Sequence, residues 1–149
     1  QPDSVILRLT WMYGELTEEE RQKGRRNLAD TLAEMCLPSP DKTEKKKQTF
    51  LATDHRGVTD VAEVVRRMEA AWMLPPGIYN FGSTASGSMY ETIRRALEGT
   101  GAEELAEPLA GTGGPRNLIM DPEKTARAGI HFPDTAEGIR RYVERHLKN

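Results

Sequence analysis

Apolar positions along the chain change their spacing several times, and each change predicts an element. Residues 5–10 (VILRLT) are a short run of β-branched and apolar side chains, the mark of a largely buried strand. Trp11, Met12 and Tyr13 follow, and Gly14 suits a chain reversal. From Arg26 to Leu37, Leu28, Leu32, Met35 and Cys36 recur at helical spacing until Pro38 and Pro40 stop the run. Residues 39–48 are polar and form a loop, with a short strand expected at 49–52. The best-marked helix carries Val61, Val64, Val65, Met68 and Trp72 as one apolar stripe. Asp60 and Glu63 have the spacing of a capping box, and Pro75-Pro76 ends the segment. GIYNF (77–81) is a second buried strand by the same reasoning, followed by a Gly/Ser/Thr loop at 82–87. Ser88 with Glu91 caps a helix carrying Met89, Ile93, Ala96 and Leu97. Asp121-Pro122 signals a further helix start, and Asp134 with Glu137 opens a last helix that buries Ile139, Val143 and Leu147.

Strands therefore alternate with helices, and the class is α/β. Enough chain separates VILRLT from GIYNF for a crossover, so the two can be parallel neighbours. At 149 residues one domain is expected, with no internal repeat. The one low-complexity stretch is Lys42–Lys47 (KTEKKK), which Glu44 interrupts and no aromatic residue interleaves; it is a solvated loop rather than a phosphate-binding patch.

Charge removes some function classes. Lys and Arg number 21 against 23 Asp and Glu, a net charge of -2, so a nucleic-acid partner is not expected. No apolar run reaches the roughly 18 residues of a membrane span, and no signal-peptide pattern opens the chain. Cys36 is the single cysteine, so an internal disulfide is impossible and a cytoplasmic setting is expected. It falls in the apolar pattern of a helix, as a small buried hydrophobe rather than a nucleophile. The chain opens at Gln1 and enters a strand almost at once, as a fragment would.

Four stretches in order resemble the dTDP-4-dehydrorhamnose reductases among the extended short-chain dehydrogenase/reductases. They are Ile6 to Gly14 (ILRLTWMYG), Asp54 to Ala62 (DHRGVTDVA), Gly77 to Gly82 with Ser88 to Glu91 (GIYNFG, SMYE), and Pro115 to Asn117 running into Asp121 to Lys124. The resemblance covers almost the whole chain and implies the C-terminal, substrate-binding part of a Rossmann-like reductase: parallel strands, flanking helices and a small substrate subdomain. The N-terminal cofactor-binding half is expected to be absent. Two departures accompany the match. The family's Tyr followed four residues later by Lys does not occur: Tyr13 is followed by Thr17, Tyr79 by Ser83, Tyr90 by Arg94 and Tyr142 by His146. The dinucleotide glycine fingerprint is also missing; Gly111-Thr112-Gly113-Gly114 has no clear strand before it and Pro115 after it.

The resemblance implies that Trp11 stacks on the sugar of a nucleotide-sugar substrate, and that Arg116 meets its diphosphate. Trp11 as a core residue and Arg116 as a surface residue are the alternatives. Arg56 and His55, beside Asp54, line the same cleft or form a polar turn. Core positions are expected for Trp72 and Tyr79, and surface or packing positions for His131 and His146. Arg8, inside a strand, needs a partner if buried. No metal site is expected, since no His has a second ligand at suitable spacing. The intact protein would use NADP or NAD, with neither bound by this fragment, and would reduce a nucleotide-linked deoxy sugar. A non-catalytic module of the same fold, or an epimerase or dehydratase of the superfamily, is the alternative. Finally, the strand at Val5–Thr10 is expected to lack one neighbour, which predicts a homodimer through residues 4–10.

Overall fold

The computed structural model describes residues 3–38 and 46–148. Two parallel strands, β1 (Val5–Leu9) and β6 (Gly77–Phe81), pair in the register Val5–Gly77 to Leu9–Phe81. Three further parallel pairs complete the strands: β2 (Trp11–Tyr13) with β5 (Val58–Asp60), β3 (Gln48–Leu51) with β7 (Ala106–Leu109), and β4 (Asp54–Arg56) with β8 (Arg116–Leu118). The helices are α1 (Glu18–Gln22), α2 (Leu28–Cys36), α3 (Val61–Ala71), α4 (Met89–Leu97), α5 (Glu123–Arg127) and α6 (Thr135–Leu147). The α/β class and the β1–β6 pairing stand as expected. Sequence reasoning missed α1, although Thr17 and Glu20 form a full capping box at its start. It also missed β2, β4, β5, β7 and β8, of three or four residues each, too short to show a period.

Apolar side chains gather in two clusters. Val64, Ala71 and Leu74 of the α3 segment pack under Tyr79, Phe81 and the half-buried Val5 and Leu7. Leu32, Met35, Ile93, Leu97, Ile139 and Val143 join α2, α4 and α6 into the other. Buried threonines tie the strand ends together. Thr59 Oγ1 lies 2.6 Å from Thr10 Oγ1 and accepts from the Ser83 amide at 2.8 Å. Thr135 Oγ1 accepts from the Val58 amide at 3.2 Å and donates to Thr84 O at 2.8 Å.

Several expectations are corrected. Neither β1 nor β6 is buried on both faces: Ile6, Leu9 and Ile78 are exposed, and so is Arg8, which needs no buried partner. Trp72 is 78% exposed rather than in the core. At about 100° per residue, Val61, Val65 and Trp72 lie within about 40° of one another, to one side of the face that Val64, Met68 and Ala71 turn to the sheet. The apolar stripe of α3 is wider than the surface that covers it. Leu147 is exposed as well, at the end of α6. Asp60 does cap α3, accepting from the Ala62 amide at 2.9 Å, but Glu63 turns to Arg66 and Arg67 instead of closing a capping box. Asp121 Oδ1 accepts from the Glu123 amide at 2.9 Å, and the helix begins one residue later than the Asp-Pro signal places it. Ser88 and Glu91 form the full box. Residues 42–45 of the basic run lie outside the described residues, and Lys47 pairs with Glu107 at 2.7 Å.

The two edges of the β1–β6 pair differ. Beyond β6, Lys124 Nζ donates to Ile78 O at 2.9 Å and Thr125 Oγ1 to Asn80 O at 2.6 Å, so α5 covers that edge. Beyond β1 no strand pairs among the described residues.

Candidate functional site

The chain leaves the C-terminal end of β1 at Thr10 and turns directly into β2, where Trp11 stands 70% exposed. Among the described residues Trp11 is therefore at the surface and not in either apolar cluster. Open α/β sheets place their ligands outside the carboxyl ends of parallel strands, and this is such a position. A cleft of about 490 Å³ opens here. Trp11, Met12, Phe50, Leu51, Val58 and Met89 give it apolar walls, and Arg26 and Arg56 bring cations to it. An apolar surface with a few convergent charges suits a ligand that is part ring and part anion.

Arg56 lies with its guanidinium carbon 4.1 Å from the centre of the Trp11 ring. Its Nη2 donates to Asp54 Oδ2 at 2.6 Å. Asp54 and Arg56 share one face of β4 because strand side chains alternate, and both are buried. Arg116 stands opposite Asp54 in the β4–β8 register and closes a two-point pair with it, Nη2 to Oδ2 at 2.6 Å and Nε to Oδ1 at 3.3 Å. The Arg116 hydrogen bond is the main influence holding the Asp54 carboxyl below its usual range, with Arg56 adding to it against the opposing effect of burial.

The structure thus brings Trp11, Arg56 and Arg116 together through Asp54, although Arg116 does not itself line the cleft. His55 goes elsewhere. It occupies the other face of β4 from Asp54 and Arg56. Tyr79 is buried with its hydroxyl on Pro75 O at 2.9 Å, His146 stacks on Tyr142 at 4.1 Å, and His131 is exposed. Sequence reasoning passed over Arg26, Phe50, Leu51 and Met89, whose place at the cleft depends on how α2, β3 and α4 pack.

A larger concavity of about 780 Å³ lies beyond Tyr13. It sits at the carboxyl ends of the parallel β2–β5 pair, where Arg145 binds Asp60 at 2.7 Å. The described residues contain no cluster of His, Cys, Asp or Glu that could hold a metal ion. Nor do they fit a dinucleotide. A strand, β7, does precede Gly111–Gly114, contrary to expectation, but the next element is the strand β8 rather than a helix. No helix among them is long and apolar enough to cross a membrane.

Comparison with known structures decides the fold. The dTDP-4-dehydrorhamnose reductase of Bacillus anthracis, solved with NADP, superposes with a TM-score of 0.67 at 18% identity, over 95% of this chain and 48% of that one. The chain has the fold of one half of an extended short-chain dehydrogenase/reductase. The dTDP-glucose 4,6-dehydratase of the same organism, solved with NAD, gives 0.64 at 17% identity, over 97% and 45%. Among curated proteins, the spore coat polysaccharide biosynthesis protein SpsK of Bacillus subtilis is 24% identical over 152 residues, 95% of this chain and 47% of its own. The chain therefore spans about half the length of the relatives it matches. No family model matches it.

Proposed function

We propose that this chain is the substrate-binding half of an NAD(P)H-dependent reductase of nucleotide-linked deoxy sugars, of the kind that reduces the 4-keto group of dTDP-4-dehydrorhamnose. The observation that carries the reading is Trp11, an exposed indole at the end of β1 in a cleft edged by Arg26 and Arg56. The indole offers an apolar plane to a deoxyhexose, and the arginines suit the diphosphate behind it. Neighbours solved with NADP and NAD support a nicotinamide cofactor for the whole protein. Its binding site, and the Tyr-Lys acid that hydride transfer needs, belong to residues outside these 149. The uncovered stripe of α3 and the open edge of β1 are the surfaces on which that other half packs.

The test is Trp11→Ala in the complete protein, with Trp11→Phe beside it. Ala should raise KM for the sugar nucleotide or lower kcat while leaving NADPH affinity unchanged, and Phe should restore much of the loss. Equal loss of NADPH binding would refute the assignment. A dehydratase has nearly the same likeness to this fold, and product analysis separates the two: a reductase consumes one NAD(P)H per sugar and a dehydratase none net.

A further inference from the structure

Thr10 is the one residue between β1 and β2, and the strands it joins pair with different partners, β1 with β6 and β2 with β5. The turn at Thr10 therefore sets the direction in which Trp11 leaves the β1–β6 pair. Its side chain ends a hydrogen-bonded row that starts in the loop after β6. The Ser83 amide donates to Thr59 Oγ1 at 2.8 Å, Thr59 Oγ1 and Thr10 Oγ1 stand 2.6 Å apart, and Thr10 Oγ1 donates to Trp11 O at 3.1 Å. A hydroxyl has one proton to give. Thr10 commits its own to Trp11 O, so Thr59 is the donor at the middle contact and the row runs one way, from Ser83 to Trp11. Thr59 is 1% exposed and Ser83 is buried as well. A Cβ at Gly82 would lie 2.7 Å from Thr10 Oγ1 and 2.9 Å from Thr59 Oγ1, so bare backbone closes over both hydroxyls. Hydrogen bonds shielded in this way are stronger than exposed ones, and a donor orphaned among them is costly.

We infer that Thr59 is a positioning residue for Trp11: it does not line the cleft, and it acts by holding the β1–β2 turn through Thr10. The inference rests on the sugar-stacking reading of Trp11 for its effect on substrate, but not for its effect on the indole. Trp11 belongs to neither apolar cluster, so packing alone does not fix its ring. Its direction depends on the backbone that carries it and on the Arg56 guanidinium 4.1 Å away. Thr59 stands opposite Met12 in the β2–β5 register, and its hydroxyl adds a hold at the start of β2 that strand pairing does not supply. An aromatic surface already held in place loses less freedom when a ligand stacks on it. The hydroxyl therefore acts on binding more than on the chemical step. Val would fill a buried strand position with nearly the same shape as Thr, so the row depends on one oxygen and its proton.

The experiment labels the complete protein with fluorotryptophan, and Trp11→Phe identifies the Trp11 fluorine resonance by its loss. Thr59→Val should shift or split that resonance in ligand-free protein. It should also raise KM for the sugar nucleotide about tenfold, the scale of a buried donor left unpaired, with kcat little changed. Thr59→Ser should restore both. Thr10→Val with Thr59→Val should be no worse than the worse single variant, because one break already opens the row. A Trp11 resonance unmoved in folded Thr59→Val protein, or moved as far by Thr59→Ser, would overturn the inference. Should Thr59→Val fail to fold, Thr10→Val, at the half-buried end of the row, keeps the Ser83–Thr59 bond and must itself move the resonance; no movement sinks the idea. If Trp11→Ala leaves KM unchanged while Thr59→Val still moves the resonance, the sugar reading falls and the hold of Thr59 on Trp11 stands.

Discussion

At Gly57 a Cβ would lie 2.0 Å from the carbonyl oxygen of Ser83, where the β4–β5 junction meets the loop after β6. That neighbour is backbone, held by the Ser83 amide bond to Thr59, so it cannot swing aside as a side chain could. Gly57→Ala should therefore destabilise the chain by about 1–3 kcal/mol, measured by urea unfolding; a neutral result would show that the loop yields. Two buried carboxyls make stability depend on acid. Asp54 is held below the usual range chiefly by Arg116. At Glu63 burial pulls the other way, and hydrogen bonds from Arg67 and Arg66 outweigh it. A depressed carboxyl contributes stability above its unfolded pKa, near 4, and loses it as pH falls through the folded value. Urea midpoints should thus fall as pH drops below about 4, and Asp54→Asn should flatten part of that fall. An acid limb equally steep in the variant would remove Asp54 as a cause.

Among the elements, α3 shows most clearly how an apolar stripe can exceed its cover. Trp72→Gln changes a side chain that is 78% exposed, and unfolding free energy should move by no more than about 0.5 kcal/mol. Phe81, fully buried in β6, sets the contrast: Phe81→Ala should cost about 3–5 kcal/mol. A loss at Trp72 approaching that at Phe81 would mean the stripe is covered in solution.

For the molecule as a whole, the open side of β1 is the main liability. Ile6 and Ile78 are exposed on neighbouring strands, and Arg8 is the one charge on β1. An edge of unpaired backbone with apolar side chains is a template for another strand. The 149-residue chain by itself should associate with a second copy through residues 4–10, seen as a concentration-dependent mass in light scattering, and Ile6→Lys should reduce it. A monodisperse monomer at high concentration would refute this. The same chain should show no saturable NADPH binding at micromolar concentrations, by fluorescence titration, because the described residues provide no phosphate-cradling loop.

Sequence by itself determined what depends on near neighbours. The apolar runs of VILRLT and GIYNF, the stripes of α2, α4 and α6, and the cap of Ser88 with Glu91 all arise within a few residues, so they were legible without a fold. Trp11 was singled out because its neighbours resemble a known strand exit. Tertiary structure alone decided what depends on distant chain. Asp54 meets Arg116 across 62 residues, through a register set by two three-residue strands that carry no periodic signal. The face on which His55 falls was decided by that same pairing, since one residue of shift reverses every side chain in a strand. Which flank of α3 stays uncovered was decided by the surface that the sheet presents to it, because an apolar side chain is buried only where another surface exists to meet it.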